Sequence, residues 1–213
     1  MKKIVFCCCV SLLSLSILTG CGEPAAQKEH LKMTVTRRQE TALSEEELSD
    51  FEAWLDDVAN NGFLRSFYED IRQADLNEIF YNGAGLEQQP MTEELRRAYE
   101  AQAGEIMTDT IRLTTEQIDG FLKEKTGYGL AEFEHPLDWI YLEGYDVWMT
   151  EHGDTNLMDV ACNSGIRMAD GTLVLSCSVP GLEGYDQSTA FRVTLLKTDN
   201  GYRFERNETA DVP

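Results

Sequence analysis

Val160-Ala161-Cys162-Asn163-Ser164-Gly165-Ile166-Arg167-Met168, then Ala169-Asp170-Gly171, then Thr172-Leu173-Val174-Leu175-Ser176-Cys177-Ser178-Val179: two alternating runs flank an Asp-Gly pair. Asp-Gly between alternating segments is a strong local signal for a two-residue β-hairpin turn. With Asp170 and Gly171 at the centre, Met168 faces Leu173, Ile166 faces Leu175, Ser164 faces Cys177 and Cys162 faces Val179. The apolar sets then share one face, whereas a slip of one residue would exchange the buried and solvated sides. In this register Cys162 and Cys177 are diagonal neighbours, so a bridge between them would require distortion. Asn200-Gly201 gives a second hairpin, with Phe191, Val193 and Leu195 on the same face as Tyr202 and Phe204.

The other face of these strands carries Asn163, Arg167, Thr172, Ser176, Ser178, Arg192, Thr194, Arg203 and Glu205, a polar surface. A sheet wet on one side and apolar on the other is characteristic of antiparallel strands with a cover. Upstream, Trp139 to Thr150 alternates as one long strand. Before Pro136 the period is helical. Ser44-Glu45-Glu46-Glu47 is a capping box followed by Leu48, Phe51, Trp54, Leu55 and Val58, with Asn61-Gly62 as a stop. Residues 63–81 read as broken helix, ended by Asn82-Gly83-Ala84-Gly85. Thr92 opens a helix carrying Leu95, Tyr99 and Ile106, and Thr114-x-x-Gln117 caps another that Gly127 closes. Helices first and strands afterwards predict an α+β fold, with N-terminal helices (44–133) packed on a C-terminal curved antiparallel β-sheet (139–207). By analogy this is cystatin-like or nuclear-transport-factor-2-like.

The N-terminus has a different character. Met1-Lys2-Lys3 precedes an uncharged apolar stretch from Ile4 to Leu18. As a helix it would rise about 22 Å, short for a membrane span and suited to a secretory signal. Its end, Leu18-Thr19-Gly20-Cys21, resembles the lipobox of bacterial lipoproteins, in which the cysteine is acylated and becomes the new N-terminus. The resemblance implies a signal peptide over 1–20 and a lipid anchor at Cys21; the polar residues that follow, punctuated by Glu23-Pro24, read as a tether over 21–43 ahead of a single domain over 44–213. A tether of that length reaches on the order of 25 Å. Within it Leu31-Lys32-Met33-Thr34-Val35-Thr36 alternates as a short strand would.

Charge narrows the partners. Eighteen basic side chains against 38 acidic ones give a formal charge of −20, and −22 once the two lysines of residues 1–20 are gone. Such a balance disfavours nucleic acid and electrostatic adhesion to anionic lipid. Of the six cysteines only Cys162 and Cys177 remain after residues 1–21, free to pair in an exported protein.

Three runs, Ile79 to Gly85, Tyr141 to Asn156 and Ser164 to Thr172, together resemble lipoproteins of Gram-positive bacteria that share a domain of unassigned activity. The resemblance spans Ser44 to Asn207, implies an extracytoplasmic location and one domain, and carries no catalytic residue to this chain.

Two candidate sites follow from side-chain chemistry. Tyr141, Glu143 and Tyr145 share one strand face with Asp146 and Trp148 on the other; aromatics beside a carboxylate suit a small cationic or sugar-like ligand. Ordinary sheet-face packing accounts for the same aromatics. Glu151, His152 and Asp154 hold cation-ligating groups, although one histidine among carboxylates lacks dedicated metal spacing, and Gly-Asp-Thr-Asn also suits a turn. Cys162 or Cys177 as a nucleophile is disfavoured by their apolar surroundings. No nucleophile elbow, phosphate loop, dinucleotide fingerprint or zinc-helix motif occurs, so no cofactor is expected. The sequence therefore predicts a membrane-anchored binding or accessory module of the cell envelope, contacting a small ligand or another envelope protein. The alternatives are a hydrolase using Glu143, Asp146, His152 or Asp154, and a purely structural envelope component.

Overall fold

The computed structural model describes residues 40–180 and 189–210, within a compact unit spanning Arg37–Pro213. The expected signal peptide, the expected lipidation site at Cys21, most of the expected tether and the alternating run 31–36 lie outside the described residues. The fold is α+β, with helices mostly preceding a C-terminal antiparallel sheet. Five strands form one sheet in the order β1 (Thr41–Ala42), β5 (Ala161–Arg167), β6 (Leu173–Val179), β7 (Thr189–Thr198), β8 (Gly201–Thr209). Three more form a second, with β4 (Val147–His152) between β2 (Asp109–Thr114) and β3 (Ile140–Leu142).

Both predicted capping boxes form. Ser44 Oγ accepts from the Glu47 amide at 3.3 Å while Glu47 Oε2 accepts from the Ser44 amide at 2.9 Å, starting α1 (Glu45–Asp56). Thr114 and Gln117 exchange the same bonds at 3.2 and 2.9 Å and start α5 (Thr115–Thr126). Gly127, at φ +90°, closes α5 with its N–H on the Lys123 carbonyl. The first helix ends earlier than its apolar stripe suggests. Asp57 turns extended at ψ 136° and its carboxylate caps a short α2 (Val58–Asn61) through the Ala59 amide at 2.8 Å. After α2 come 3-10 turns and α3 (Leu76–Phe80), the broken helix of the sequence. The fourth helix, α4 (Glu93–Ala103), stops before Gly104, so Ile106 lies beyond it.

The core lies between the helices and the inner face of the large sheet. Leu55, Phe63, Phe80, Ile118 and Leu122 meet Leu173, Leu175, Phe191, Val193, Leu195 and Phe204 in one buried cluster. A second cluster joins Leu95 and Tyr99 of α4 to Leu142, Val147 and Met149 of the small sheet.

The structure departs from three further expectations. The region 44–133 is not wholly helical: β2 lies within it and pairs with β4 from Asp109↔His152 to Thr114↔Val147. Trp139 to Thr150 is not one strand, because a 3-10 turn at Glu143–Tyr145 folds it into the β3–β4 hairpin of the small sheet. The β5–β6 turn has three residues rather than two. Met168 N donates to Thr172 O at 2.8 Å and Gly171 N to Met168 O at 2.9 Å, with Gly171 at φ +85°. This is the three-residue hairpin loop, whose last position favours glycine. The register therefore moves by one: Arg167 faces Leu173, Gly165 faces Leu175, and Ile166 points outward with 41% of its surface exposed. A bulge between Cys162 and Ser164 restores Cys162 to the core face, directly opposite Cys177. Arg167, expected on the polar face, instead pairs with Glu47 of α1 at 2.8 Å.

Candidate functional site

The turn between β3 and β4 decides the fate of the aromatic candidate site. Asp146 sits in the left-handed region at φ +48°, a conformation costly for a residue with a Cβ. Side chains stabilise it there. Trp148 Nε1 donates to Thr115 Oγ1 at 3.1 Å, and Thr115 Oγ1 donates to Asp146 Oδ1 at 2.7 Å. Tyr141 OH donates to the same oxygen at 3.0 Å, and its ring lies 4.8 Å from that of Trp148. The Thr115 and Tyr141 hydroxyls hold the Asp146 carboxyl below the usual range, while the bond to Asp146 pushes the Tyr141 phenol up. Asp146 thus stays ionised and locks the turn, which argues against a proton-donating role. Tyr141 and Asp146, expected on opposite faces, are brought together by the kink; Glu143 and Tyr145 fall in the turn itself, with Tyr145 exposed.

The Glu151, His152 and Asp154 group does not assemble a metal site. Glu151 Oε2 accepts from the Met107 and Thr108 amides at 2.7 and 3.0 Å, bonds that lower its pKa and fasten the turn before β2. The next residue, His152, has its ring edge-on to Tyr81 at 5.7 Å. Successive residues of a strand point to opposite faces, so Glu151 and His152 diverge. No group of three metal-ligating side chains gathers among the described residues. Two of the residues do share a surface: His152 and Asp154 line an open depression with Arg96, Thr108 and Asp109.

A larger cleft than this depression lies elsewhere, with a volume of about 950 Å³. Asp50, Phe51 and Trp54 of α1, the last turn of α5 at Lys123–Lys125, and the β7–β8 turn from Thr198 to Arg203 enclose it. The aromatic side chains follow from the helical stripe of α1 and the alternation of β8. Trp54 stacks on Phe204 at 5.3 Å, and Phe51 meets Tyr202 edge-on at 5.5 Å. Cations cover these rings. Lys125 Nζ stands 5.9 Å from the Trp54 centroid and donates to Asn60 Oδ1 at 2.9 Å; Lys197 Nζ stands 4.6 Å above Tyr202. Arg203 Nε donates to the Glu124 carbonyl at 3.2 Å, where the negative end of α5 favours a cation. Lys123 pairs with Asp119 at 2.5 Å, which raises the lysine and lowers the carboxyl. Asp50, Glu124 and Asp199 supply acceptors on the rim.

Sequence reasoning placed Phe51, Trp54 and Tyr202 in core stripes and did not connect them to Lys125 or Arg203. The residues come from three segments separated by about seventy positions each, and only the sheet register brings the β7–β8 turn to α1. No local signal marks that convergence. A scan against family models and searches of the curated proteins and the solved structures find no match for this chain. Among the described residues no helix is long and apolar enough to cross a membrane.

Proposed function

We propose that this protein is a lipid-anchored extracytoplasmic binding module without catalytic activity, and that the cleft between α1, the end of α5 and the β7–β8 turn is its ligand site. The observation carrying this reading is the aromatic floor of Phe51, Trp54 and Tyr202 rimmed by charges of both signs. Ligand sites combine apolar surface with a few placed polar groups. Lys125 and Lys197 already occupy the ring faces that a cationic ligand would use. The cleft therefore favours a neutral or anionic, hydroxyl-rich ligand over a cationic one, as an oligosaccharide of the cell wall would be. The anchor is supported by the lipobox-like Leu18-Thr19-Gly20-Cys21 after its charged and apolar lead.

Binding to the native state raises apparent stability, so the test is a thermal-shift series with soluble acidic cell-wall oligosaccharides. The full-length protein should melt higher with ligand, Arg203→Ala should lose the shift, and His152→Ala should keep it. A flat response across the series would refute the binding reading. Separately, Cys21→Ala should move the protein from the membrane fraction to the soluble fraction; continued tight association would refute the anchor.

A second reading, hydrolysis of envelope material, draws on the shared depression of His152, Asp154 and Asp109. Asp146 is committed to its turn and leaves that scheme. Turnover of a cell-wall substrate that disappears in His152→Ala with folding intact would favour hydrolysis over binding.

A further inference from the structure

The shifted hairpin register places two thiols face to face. Cys162 pairs directly with Cys177, and their Sγ atoms lie 3.5 Å apart. The bulge produces this apposition. From Arg167↔Leu173 to Ser164↔Ser176 the pairing runs in step, and continued without interruption it would set Asn163 opposite Cys177. The extra residue returns Cys162 to the core face, and Asn163 turns outward to donate to Ser178 Oγ at 2.9 Å. Glu52 Oε1 of α1 accepts from the Cys162 amide at 2.7 Å, holding the bulged backbone in place. Directly opposed residues of an antiparallel pair have Cα atoms about 4.5–5.5 Å apart, inside the roughly 4.4–6.8 Å that a disulfide spans. The distortion that a diagonal pair would need does not arise here.

We infer that Cys162 and Cys177 are a dithiol that closes to a disulfide by exchange with an external disulfide, R–S–S–R. Cys162 is the entry point. Both thiols are buried in the finished fold, so exchange enters during folding, while the hairpin is still open, at the less covered thiol. Cys162 is 6% exposed against 1% for Cys177 and lies on β5 beyond the reach of β1, which pairs only with Ile166 and Arg167. The Cys162 thiolate attacks one sulfur of R–S–S–R, forming a mixed disulfide and expelling RS⁻, which takes up the proton that Cys162 lost. The Cys177 thiolate then attacks the Cys162 sulfur, forming the internal bond and expelling the second RS⁻, which takes the proton from Cys177. The protein loses two electrons and two protons, and one R–S–S–R becomes two R–SH. The closed bond spans the β5–β6 hairpin and fixes its register.

The test refolds the full chain in a buffer of oxidised and reduced glutathione, alkylates remaining thiols in denaturant, and maps tryptic peptides. Cleavage after Arg167 puts Cys162 in the peptide 126–167 and Cys177 in 168–192, apart from the four cysteines at positions 7–21. The expected product is folded, carries these two peptides linked and two hydrogens lighter, and separates them on reduction. It should melt on the order of 5–10 °C above the reduced protein, since the bond constrains the unfolded chain. Cys162→Ser should show neither the link nor the gain; should that variant fail to fold, the wild-type comparison decides alone. Folded protein with both cysteines alkylated would overturn the inference. So would a linked product that melts at or below the reduced one.

Discussion

Gly62 and its neighbour Asn61 show how a residue can be noticed for the wrong reason. The pair reads in sequence as a helix stop, yet Gly62 is helical, at φ −58°, and the chain breaks five residues earlier at Asp57. What Gly62 supplies is absence of bulk. A Cβ there would stand 2.5 Å from the Ile79 carbonyl oxygen and 2.6 Å from its Cα, both backbone atoms that cannot swing aside. Two effects then oppose each other in Gly62→Ala. Helix propensity favours alanine by up to about 1 kcal/mol, while displacing α3 from a packed core costs about 1–3 kcal/mol. The clash should win, and urea denaturation should show a lower midpoint; an unchanged or higher midpoint would mean that α3 yields freely. Asn61 is almost fully buried and is equally specific. Its Nδ2 donates to Leu55 O at 3.2 Å and to Met158 O at 2.8 Å, and its Oδ1 accepts from Met158 N at 2.8 Å. Neither role was legible, because the atoms that give them meaning lie 17 and 97 positions away in the chain.

Elements were more legible than residues wherever the signal was local. The two capping boxes, the αL glycine after α5 and both hairpins are all short-range patterns, and all are present. Strand faces depended on parity. At the second hairpin Thr198↔Gly201 and Leu195↔Phe204 pair, two steps from the expected register, so Tyr202 and Phe204 keep their side. At the first, one step of difference sent Ile166 to solvent and Gly165 to the core. Asp-Gly suits both two- and three-residue loops, and sequence alone did not separate them. The missed strand β2 is explained similarly: six residues between two helices gave too short an alternation to read, and pairing with β4 supplies what propensity did not. Thr114 ends β2 and caps α5 at once, its hydroxyl accepting from the Gln117 amide while Gln117 Oε1 also accepts from Gln89 Nε2 at 3.0 Å. Thr114→Ala should lower stability by about 1 kcal/mol, and Thr114→Ser, which keeps the hydroxyl, should recover most of it. Equal losses in the two variants, measured by denaturant titration, would move the cause from the cap to the lost methyl group.

For the whole molecule, charge and hydrogen bonding set opposing dependences on pH. The chain carries a formal −20 at neutral pH, so mutual repulsion opposes compactness and relaxes as carboxylates take up protons. Several carboxylates act in the other direction, because native-state donors hold them ionised. Amides and hydroxyls do this for Glu151 and Asp146, the Ser44 amide and Arg167 for Glu47, Lys123 for Asp119, and Arg72 for Asp70, whose pKa falls to about 2. A group whose folded pKa is depressed contributes stability that is complete above its unfolded value and disappears as pH falls through the folded one. For this set the loss begins near the ordinary values of 4.5 for Glu and 3.8 for Asp and runs down to about 2 for Asp70. Asp56 has the opposite sign: burial raises its pKa, so its protonation favours the native state as pH falls. Repulsion and Asp56 therefore push the optimum below neutrality, while the donor-held carboxylates set its lower edge. The melting temperature should rise from pH 7 to a maximum near about pH 5 and fall steeply below about pH 4. Added salt should narrow the rise on the neutral side by screening the repulsion and leave the acid edge largely in place, since short hydrogen bonds are screened little. A melting temperature that keeps climbing to pH 3 would show that repulsion outweighs every one of these bonds.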